Sequence, residues 1–170
     1  MKKLFLTGLL LVTVFHLGVA QKRGRVFNAW KADGWIEAAE KASSGGDYYA
    51  AFRYLESALA FDSTRVEVWQ KYAYNALQFN AFPFAEQAYA KAYRLSGEPT
   101  DRFGQAYAMQ RQGKYAAAVL IFEELLKSNN GITKLRGEVE TAIANCRFGI
   151  EREGGAVEVS ISQMDTNAIN

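Results

Sequence analysis

The sequence predicts an all-α fold built from about three repeated helix–turn–helix units and a capping helix. A short motif recurs at a constant phase, as GDYYAA at 46–51, NAFPFA at 80–85 and GKYAAA at 113–118. The first residues of these motifs lie 34 and then 33 residues apart. Each motif opens a run of apolar residues with the helical period. Repeats of this length are helix pairs that bury their apolar faces only by stacking on their neighbours.

Helix-breaking residues divide the chain in the same way. Gly46 stands at the turn inside the first unit, and 62–64 (DST) separates the first unit from the second. Pro83 falls near the first turn of the second helix of the second unit. Gly97 is placed to end that helix, and Pro99 is placed to begin the next one.

One further amphipathic helix is predicted from residue 133 to about residue 150. Leu135, Val139, Ile143 and Cys146 recur on one face of it. A stack of helix pairs needs such a helix at its end, with its polar side towards water. We therefore expect a repeat domain with its capping helix over 33–150, after an N-terminal segment at 21–32.

The pattern changes again beyond Gly154 and Gly155. Residues 157–162 (VEVSIS) alternate between apolar and polar, as a half-buried strand does. Three explanations stay open: an extended segment lying on the helices, a strand donated to a partner's sheet edge, or the first piece of a further domain. We expect 151–170 to be an extended or flexible tail, or a linker to such a domain.

Residues 1–20 predict a cleavable signal peptide. Two lysines precede a nearly continuous apolar run at 4–17, and the small residues Gly18 and Ala20 stand at the −3 and −1 positions before Gln21. A membrane anchor is the alternative, but the run is shorter than the ~20 residues needed to cross a bilayer. We expect a periplasmic or secreted protein without stable membrane insertion after cleavage.

Loss of this segment changes the chemistry available to the chain. It removes Lys2 and Lys3, which leaves 18 basic against 18 acidic residues, so no basic excess favours nucleic-acid binding. It also removes His16, the only histidine, and with it any histidine-based catalytic dyad or zinc site. The lone Cys146 cannot form an intramolecular disulfide, and its helical spacing predicts packing in a core.

The acidic residues offer no catalytic pair. They occur as neighbours or next-neighbours at 123–124, 138/140 and 151/153, spacings that do not share a helix face. We therefore predict no catalytic residues, no metal site and no cofactor.

Small and aromatic residues recur at matching positions of the three units: Trp35, Ala39, Ala51, Leu55 and Ala58, then Trp69, Ala73, Ala85, Tyr89 and Ala92, then Ala106, Ala118, Phe122 and Leu125. Over 33–128 this pattern resembles the tetratricopeptide repeat, whose unit is helix A, a tight turn and helix B. The resemblance implies a right-handed solenoid with a concave groove lined mainly by helix A. It implies these partner-binding candidates: Ile36, Glu40 and Ser43, then Gln70, Tyr74 and Gln78, then Phe103, Tyr107 and Arg111. An apolar, aromatic and amide-bearing groove suits an extended peptide or a partner helix.

One activity of that family is not expected here. Its chaperone-tail clamp grips a terminal carboxylate with Lys and Asn at the fifth and ninth positions of the repeat. Ile36 and Glu40 hold those positions in the first unit. We therefore expect no binding of chaperone tails.

A narrower resemblance concerns the cell envelope. The residues at 19–21 (VAQ), the turn motifs at 46–51 and 113–118 and the tail at 157–170 resemble the N-terminal region of OmpA-type multidomain envelope proteins associated with type IX secretion. The resemblance implies a periplasmic adaptor in an outer-membrane or secretion assembly. The expected function is thus a non-enzymatic scaffold that binds a protein or peptide of the bacterial envelope. A self-associating structural oligomer is the alternative, and an enzyme such as a hydrolase is disfavoured.

Overall fold

The computed structural model describes residues 30–128 and 132–167, with side chains as far as Glu153. The predicted signal peptide and the first part of the segment at 21–32 lie outside the described residues. All regular structure in the described part is α-helical, which confirms the predicted fold class. The helices are α1 (30–44), α2 (Tyr48–Phe61), α3 (Val66–Gln78), α4 (Phe82–Ser96), α5 (Pro99–Arg111), α6 (Tyr115–Lys127) and α7 (Arg136–Asn167). None of these helices is both long and apolar enough to cross a membrane.

The three turns predicted from the repeated motif share one backbone geometry. Gly46, Asn80 and Gly113 have φ angles of 82°, 64° and 77°, in the left-handed region that glycine and asparagine tolerate best. At each turn the next backbone N–H donates to the carbonyl five residues earlier, at 2.8 to 3.0 Å. This bond closes a Schellman-type helix end. The repeated sequence motif therefore corresponds to a repeated turn structure.

The boundaries predicted at Pro83, Gly97 and Pro99 also hold. Gly97 ends α4 with a φ of 70°, and its N–H donates to the Tyr93 carbonyl at 2.8 Å. Pro99 is the first residue of α5, and Pro83 lies in the first turn of α4. Proline is favoured there because the first turn of a helix leaves its N–H groups without intrahelical partners.

The chain divides into two compact units that are larger than single repeats, Met1–Val68 and Trp69–Asn170. From here on, the first unit and the second unit are these two parts of the chain. In the described part of the first unit, α1 and α2 meet through small and apolar side chains. The Trp35 and Tyr54 rings stack with centroids 5.9 Å apart. Its buried residues include Ala32, Ile36, Ala39, Ala51, Phe52, Leu55 and Ala58.

The second unit contains the rest of α3 and the helices α4 to α7. α4 packs on α5, α5 on α6, and α6 on α7. One apolar cluster joins the last three helices and includes Ile132 in the preceding loop. Its buried members are Ala106, Ala118, Ile121, Phe122, Leu125, Ile132, Val139, Ala142, Ile143 and Cys146. The predicted burial of Cys146 in a core is confirmed, since its exposed fraction is 0%.

The prediction of an extended tail is wrong for residues 151–167. α7 begins at Arg136, after a turn at 133–135, and continues as helix to Asn167. Gly154 and Gly155 each cost only about 1 kcal/mol relative to alanine in a helix, which weakens a helix without ending it. Val157, Ile161 and Met164 also follow a helical i, i+4, i+7 spacing. The letters at 157–162 fit both periods, so a short alternating run could not decide between them.

Candidate functional site

The predicted groove residues of the second unit form two stripes with a spacing of four residues, one on α3 and one on α5. Residues four apart lie on the same face of a helix, one turn from each other. We call these six residues the helix-A face: Gln70, Tyr74 and Gln78 on α3, and Phe103, Tyr107 and Arg111 on α5.

A buried carboxylate at the start of α5 joins this helix to the N-terminal half of α3. Asp101, the third residue of α5, is 2% exposed. Its two carboxylate oxygens accept from Gln70 Nε2 at 2.9 and 3.0 Å, and Oδ2 also accepts from Ser96 Oγ at 2.7 Å. A carboxylate in the first turn of a helix is stabilised by the helix dipole. Asp101 thus connects α3, the end of α4 and the start of α5.

A tyrosine packs tightly beside this carboxylate. A Cβ placed on Gly104 would lie 2.8 Å from two ring carbons of Tyr89, so only glycine lets α4 and α5 approach this closely. Burial, the negative charge of Asp101 and Tyr74 together raise the pKa of Tyr89 to about 12. The Tyr89 hydroxyl therefore stays protonated at neutral pH.

The remaining members of the helix-A face differ in exposure. Tyr74 is 47% exposed, and Gln78 is exposed at the end of α3. Phe103 is half-buried, with its ring centroid 5.6 Å from that of Phe122 in the apolar cluster, and it stacks on Tyr107 at 6.4 Å. Phe103 therefore contributes mainly by packing beneath Tyr107, and little of its own surface is exposed.

Arg111 is held at the other end of the stripe. Its guanidinium carbon lies 5.0 Å from the centroid of the Phe82 ring, within the range of a cation–π contact. The side chain is exposed. It therefore presents a positive group at the end of α5.

The candidates in the first unit do not form a comparable set. Ile36 is 8% exposed and lies in the core with Ala32 and Ala39, so it offers no surface to a partner. Its proposed place in the groove followed from repeat numbering, whereas its side chain belongs to the apolar stripe of α1. Glu40 is exposed and Ser43 is half-buried.

The sequence analysis did not identify Asp101 and Ser96 as part of the site, or the position of Tyr89 beside the Asp101 carboxylate. An acidic residue two positions after Pro99 has the ordinary explanation of a favourable helix N-terminus. Its main partner, Gln70, is 31 residues away in the chain, so no local pattern announces the contact.

The described residues hold no group of three or more metal-ligating side chains. Burial raises the pKa of the Cys146 thiol, which disfavours the nucleophilic thiolate.

Comparison with known proteins identifies the fold. No family model and no curated protein matches the sequence. The second TPR domain of human RPAP3, solved with an HSP70 peptide, is 18% identical with a TM-score of 0.59, covering 72% of this chain and 98% of that domain. The Arabidopsis OM64 TPR domain is 17% identical with a TM-score of 0.59, over 71% of this chain and 97% of that one.

A bacterial protein shows the same likeness. The type III secretion chaperone SycD of Yersinia enterocolitica, solved with a peptide of the translocator YopD, is 15% identical with a TM-score of 0.58, over 68% of this chain and 92% of SycD. At these identities the likeness establishes the fold alone. The chain has the tetratricopeptide fold, an all-α solenoid of helix pairs, as the sequence predicted.

Proposed function

We propose that this chain is a non-enzymatic scaffold that binds a protein or peptide partner through the helix-A face of its second unit. The observation that carries the proposal is the bonding of Gln70 to buried Asp101, which fixes the α3 stripe beside α5. Exposed Tyr74 and the stacked Tyr107 add aromatic contact area at low conformational cost. Two structures with this fold, those of RPAP3 and SycD, contain bound peptides, which supports the same use here.

The proposed partner is an envelope protein of a bacterium. This part of the proposal rests on the predicted signal peptide at 1–20 and on the resemblance to the repeat region of OmpA-type envelope proteins. It places the mature chain in the periplasm or at the outer membrane, as an adaptor in an outer-membrane or type IX secretion assembly. Chaperone tails remain outside the proposal, because Ile36 and Glu40 do not supply a carboxylate clamp.

Fractionation of the native host and N-terminal sequencing test the location. We expect the chain in the periplasmic or outer-membrane fraction, with Gln21 as its first residue. Recovery from the cytoplasm with Met1 retained would contradict the proposed location and leave the binding face untouched.

A pulldown from the envelope of the native host tests the binding face. We expect one discrete partner to be retained by the wild-type chain and lost with the double variant Tyr74→Ala, Tyr107→Ala, while the circular dichroism spectrum stays the same. Leu120→Ala is the matched control, since Leu120 lies on α6, outside the helix-A face, and is 69% exposed. Retention of the partner by the double variant would contradict the assignment of the face.

Self-association is the alternative function. Leu120, Phe148 and Ile150 on α6 and α7 are large apolar residues with exposed fractions of 69%, 59% and 41%. Sedimentation of the purified chain separates the two ideas. A monomer favours a foreign partner, and a stable oligomer that forms without the helix-A face favours self-assembly.

A further inference from the structure

We infer that the helix-A face selects a partner segment carrying a lysine or arginine side chain, which docks on Gln70 and Tyr74 above the buried carboxylate of Asp101. The inference rests on the proposed function and adds the charge of the ligand. It depends on how Asp101 orients the amide of Gln70.

An ionised carboxylate can only accept hydrogen bonds. Both oxygens of Asp101 face the terminal amide of Gln70, at 2.9 and 3.0 Å. The amide atom that faces them must therefore be the nitrogen, which fixes the Gln70 side chain in one of its two orientations. Gln70 Oε1 is then the amide atom that remains to accept a hydrogen bond, and Tyr74 follows on the same face of α3, one helical turn away. A ligand group at this position has to be a donor.

The charge at this position has the sign that favours a cation. Asp101 is 2% exposed, and all its described partners, Gln70 and Ser96, are neutral. The N-terminus of α5 contributes only about half a positive charge, which leaves a net negative potential. Because Asp101 is itself shielded from water, its charge is screened less than that of a carboxylate on the surface.

Three cations in the described part of the second unit form ion pairs with carboxylates other than Asp101. Arg102 pairs with Glu124 at 2.6 Å, Lys114 with Glu86 at 2.8 Å and Arg147 with Glu123 at 3.0 Å. None of these pairs involves Asp101. Within the described residues, therefore, no basic side chain of the chain itself forms an ion pair with this carboxylate.

Tyr74 completes a site for a cationic side chain. Its ring is 47% exposed and lies on the same face of α3 as Gln70. An aromatic face attracts an ammonium or guanidinium group and also covers the methylene stem of lysine or arginine. Acceptor, aromatic ring and buried negative charge thus point to one ligand chemistry, a basic side chain within an extended peptide.

The test uses mixtures of nine-residue peptides with capped ends. The central residue is arginine, lysine, norleucine, glutamine or glutamate, and the other positions hold uncharged residues. Affinity for the full chain, purified after expression with its own N-terminus, is measured by fluorescence anisotropy. We expect the arginine and lysine mixtures to bind about tenfold more tightly than the norleucine mixture, and the glutamate mixture to bind most weakly.

Variants connect this preference to the proposed contact. Asp101→Asn removes the negative charge and lets the Gln70 amide take either orientation. The ratio of affinities between the basic mixtures and the norleucine mixture should therefore fall to about one. Gln70→Leu, at a half-buried position, should have the same effect and replaces Asp101→Asn if that variant does not fold. Gln87→Leu is the matched control, because Gln87 is exposed on α4, and it should keep the preference.

The outcomes separate this inference from the proposed function. Binding without preference for basic residues, or an unchanged preference in Gln70→Leu, overturns the inference and leaves the binding role standing. Failure of every mixture to bind contradicts the proposed function and the inference together.

Discussion

Two helix contacts of the second unit use the same packing device in different chemical surroundings. Tyr89 of α4 lies against Gly104 of α5, and Tyr115 of α6 lies against Gly149 of α7, each so closely that a Cβ on the glycine would come within 2.9 Å of three ring carbons. The first contact includes the buried Asp101 and its hydrogen bonds. The second belongs to the apolar cluster around Phe122 and Cys146.

The difference between the two contacts suggests different roles, the apolar one in stability and the polar one in recognition. An apolar contact near the end of the repeats needs only volume and shape, because it stabilises the last helices against water. A buried polar contact is costly unless every group finds a partner, and in return it fixes the orientation of those partners. At α4–α5 one of the oriented partners, Gln70, belongs to the helix-A face. Changes at the two contacts should therefore have different consequences for binding.

The largest expected effect on stability comes from removing a large side chain from the apolar cluster. Phe122 is 0% exposed, so Phe122→Ala should lower the free energy of unfolding by about 3 to 5 kcal/mol. Urea denaturation followed by circular dichroism measures the change. Phe84→Ala, at a residue 51% exposed on α4, is the control and should cost under about 1 kcal/mol. Equal costs for the two variants would mean that the cluster is not the core of this unit.

The polar contact should show itself at alkaline pH. Burial, Asp101 and Tyr74 raise the pKa of Tyr89 from 10.0 to about 12. A raised pKa means that the folded state holds the proton more tightly, so the stabilisation is present below pH 10 and is lost as the pH rises towards 12. The loss should be about 2 to 3 kcal/mol. Urea denaturation between pH 9 and 12 measures it. Tyr89→Phe should flatten this dependence, and an equally steep decline in that variant would rule out Tyr89 as its source.

Alanine at the two glycines should distinguish close contact from helix propensity. Gly104→Ala and Gly149→Ala each place a methyl group against a tyrosine ring, so each should destabilise by about 1 to 3 kcal/mol. Gly137→Ala is the control, because Gly137 in α7 has no neighbour within 4 Å of the added Cβ. That variant should stabilise by about 0.5 to 1 kcal/mol. Thermal unfolding of the three variants measures the contrast, and stabilisation in all three would show that the rings yield freely.

The smallest effect concerns the lone cysteine. Cys146 is 0% exposed and burial raises the pKa of its thiol, so a disulfide reagent at pH 8 should label it only after denaturation. Cys146→Ala should cost about 1 kcal/mol. Prompt labelling of the native chain would place this thiol outside the apolar cluster.

Much of the fold could be predicted from the sequence, because each repeat is marked by local features such as turn residues and recurring alanines. The residues at 46, 80 and 113, which open the three recurring motifs, all adopt a left-handed backbone. The alanines that recur at matching positions of the repeats, including Ala51, Ala85 and Ala118, are fully buried. Such positions repeat because each unit packs on its neighbours in the same way.

The errors have different causes. Ile36 was placed in the groove by repeat numbering, although Ala32, Ile36 and Ala39 form an apolar stripe that indicates burial. The letters at 157–162 satisfied two periods at once. Asp101 and Gln70 meet across 31 residues, and only the packed helices bring them together.

Site-specific photocrosslinking in the native host tests most directly the claim that the helix-A face holds the partner. A photoreactive phenylalanine analogue replaces Tyr74 in one strain and Leu120 in another; both positions are exposed, on α3 and α6 respectively. The proposed function predicts a discrete crosslinked product from position 74 and none from position 120. A product from position 120, with none from position 74, would contradict it.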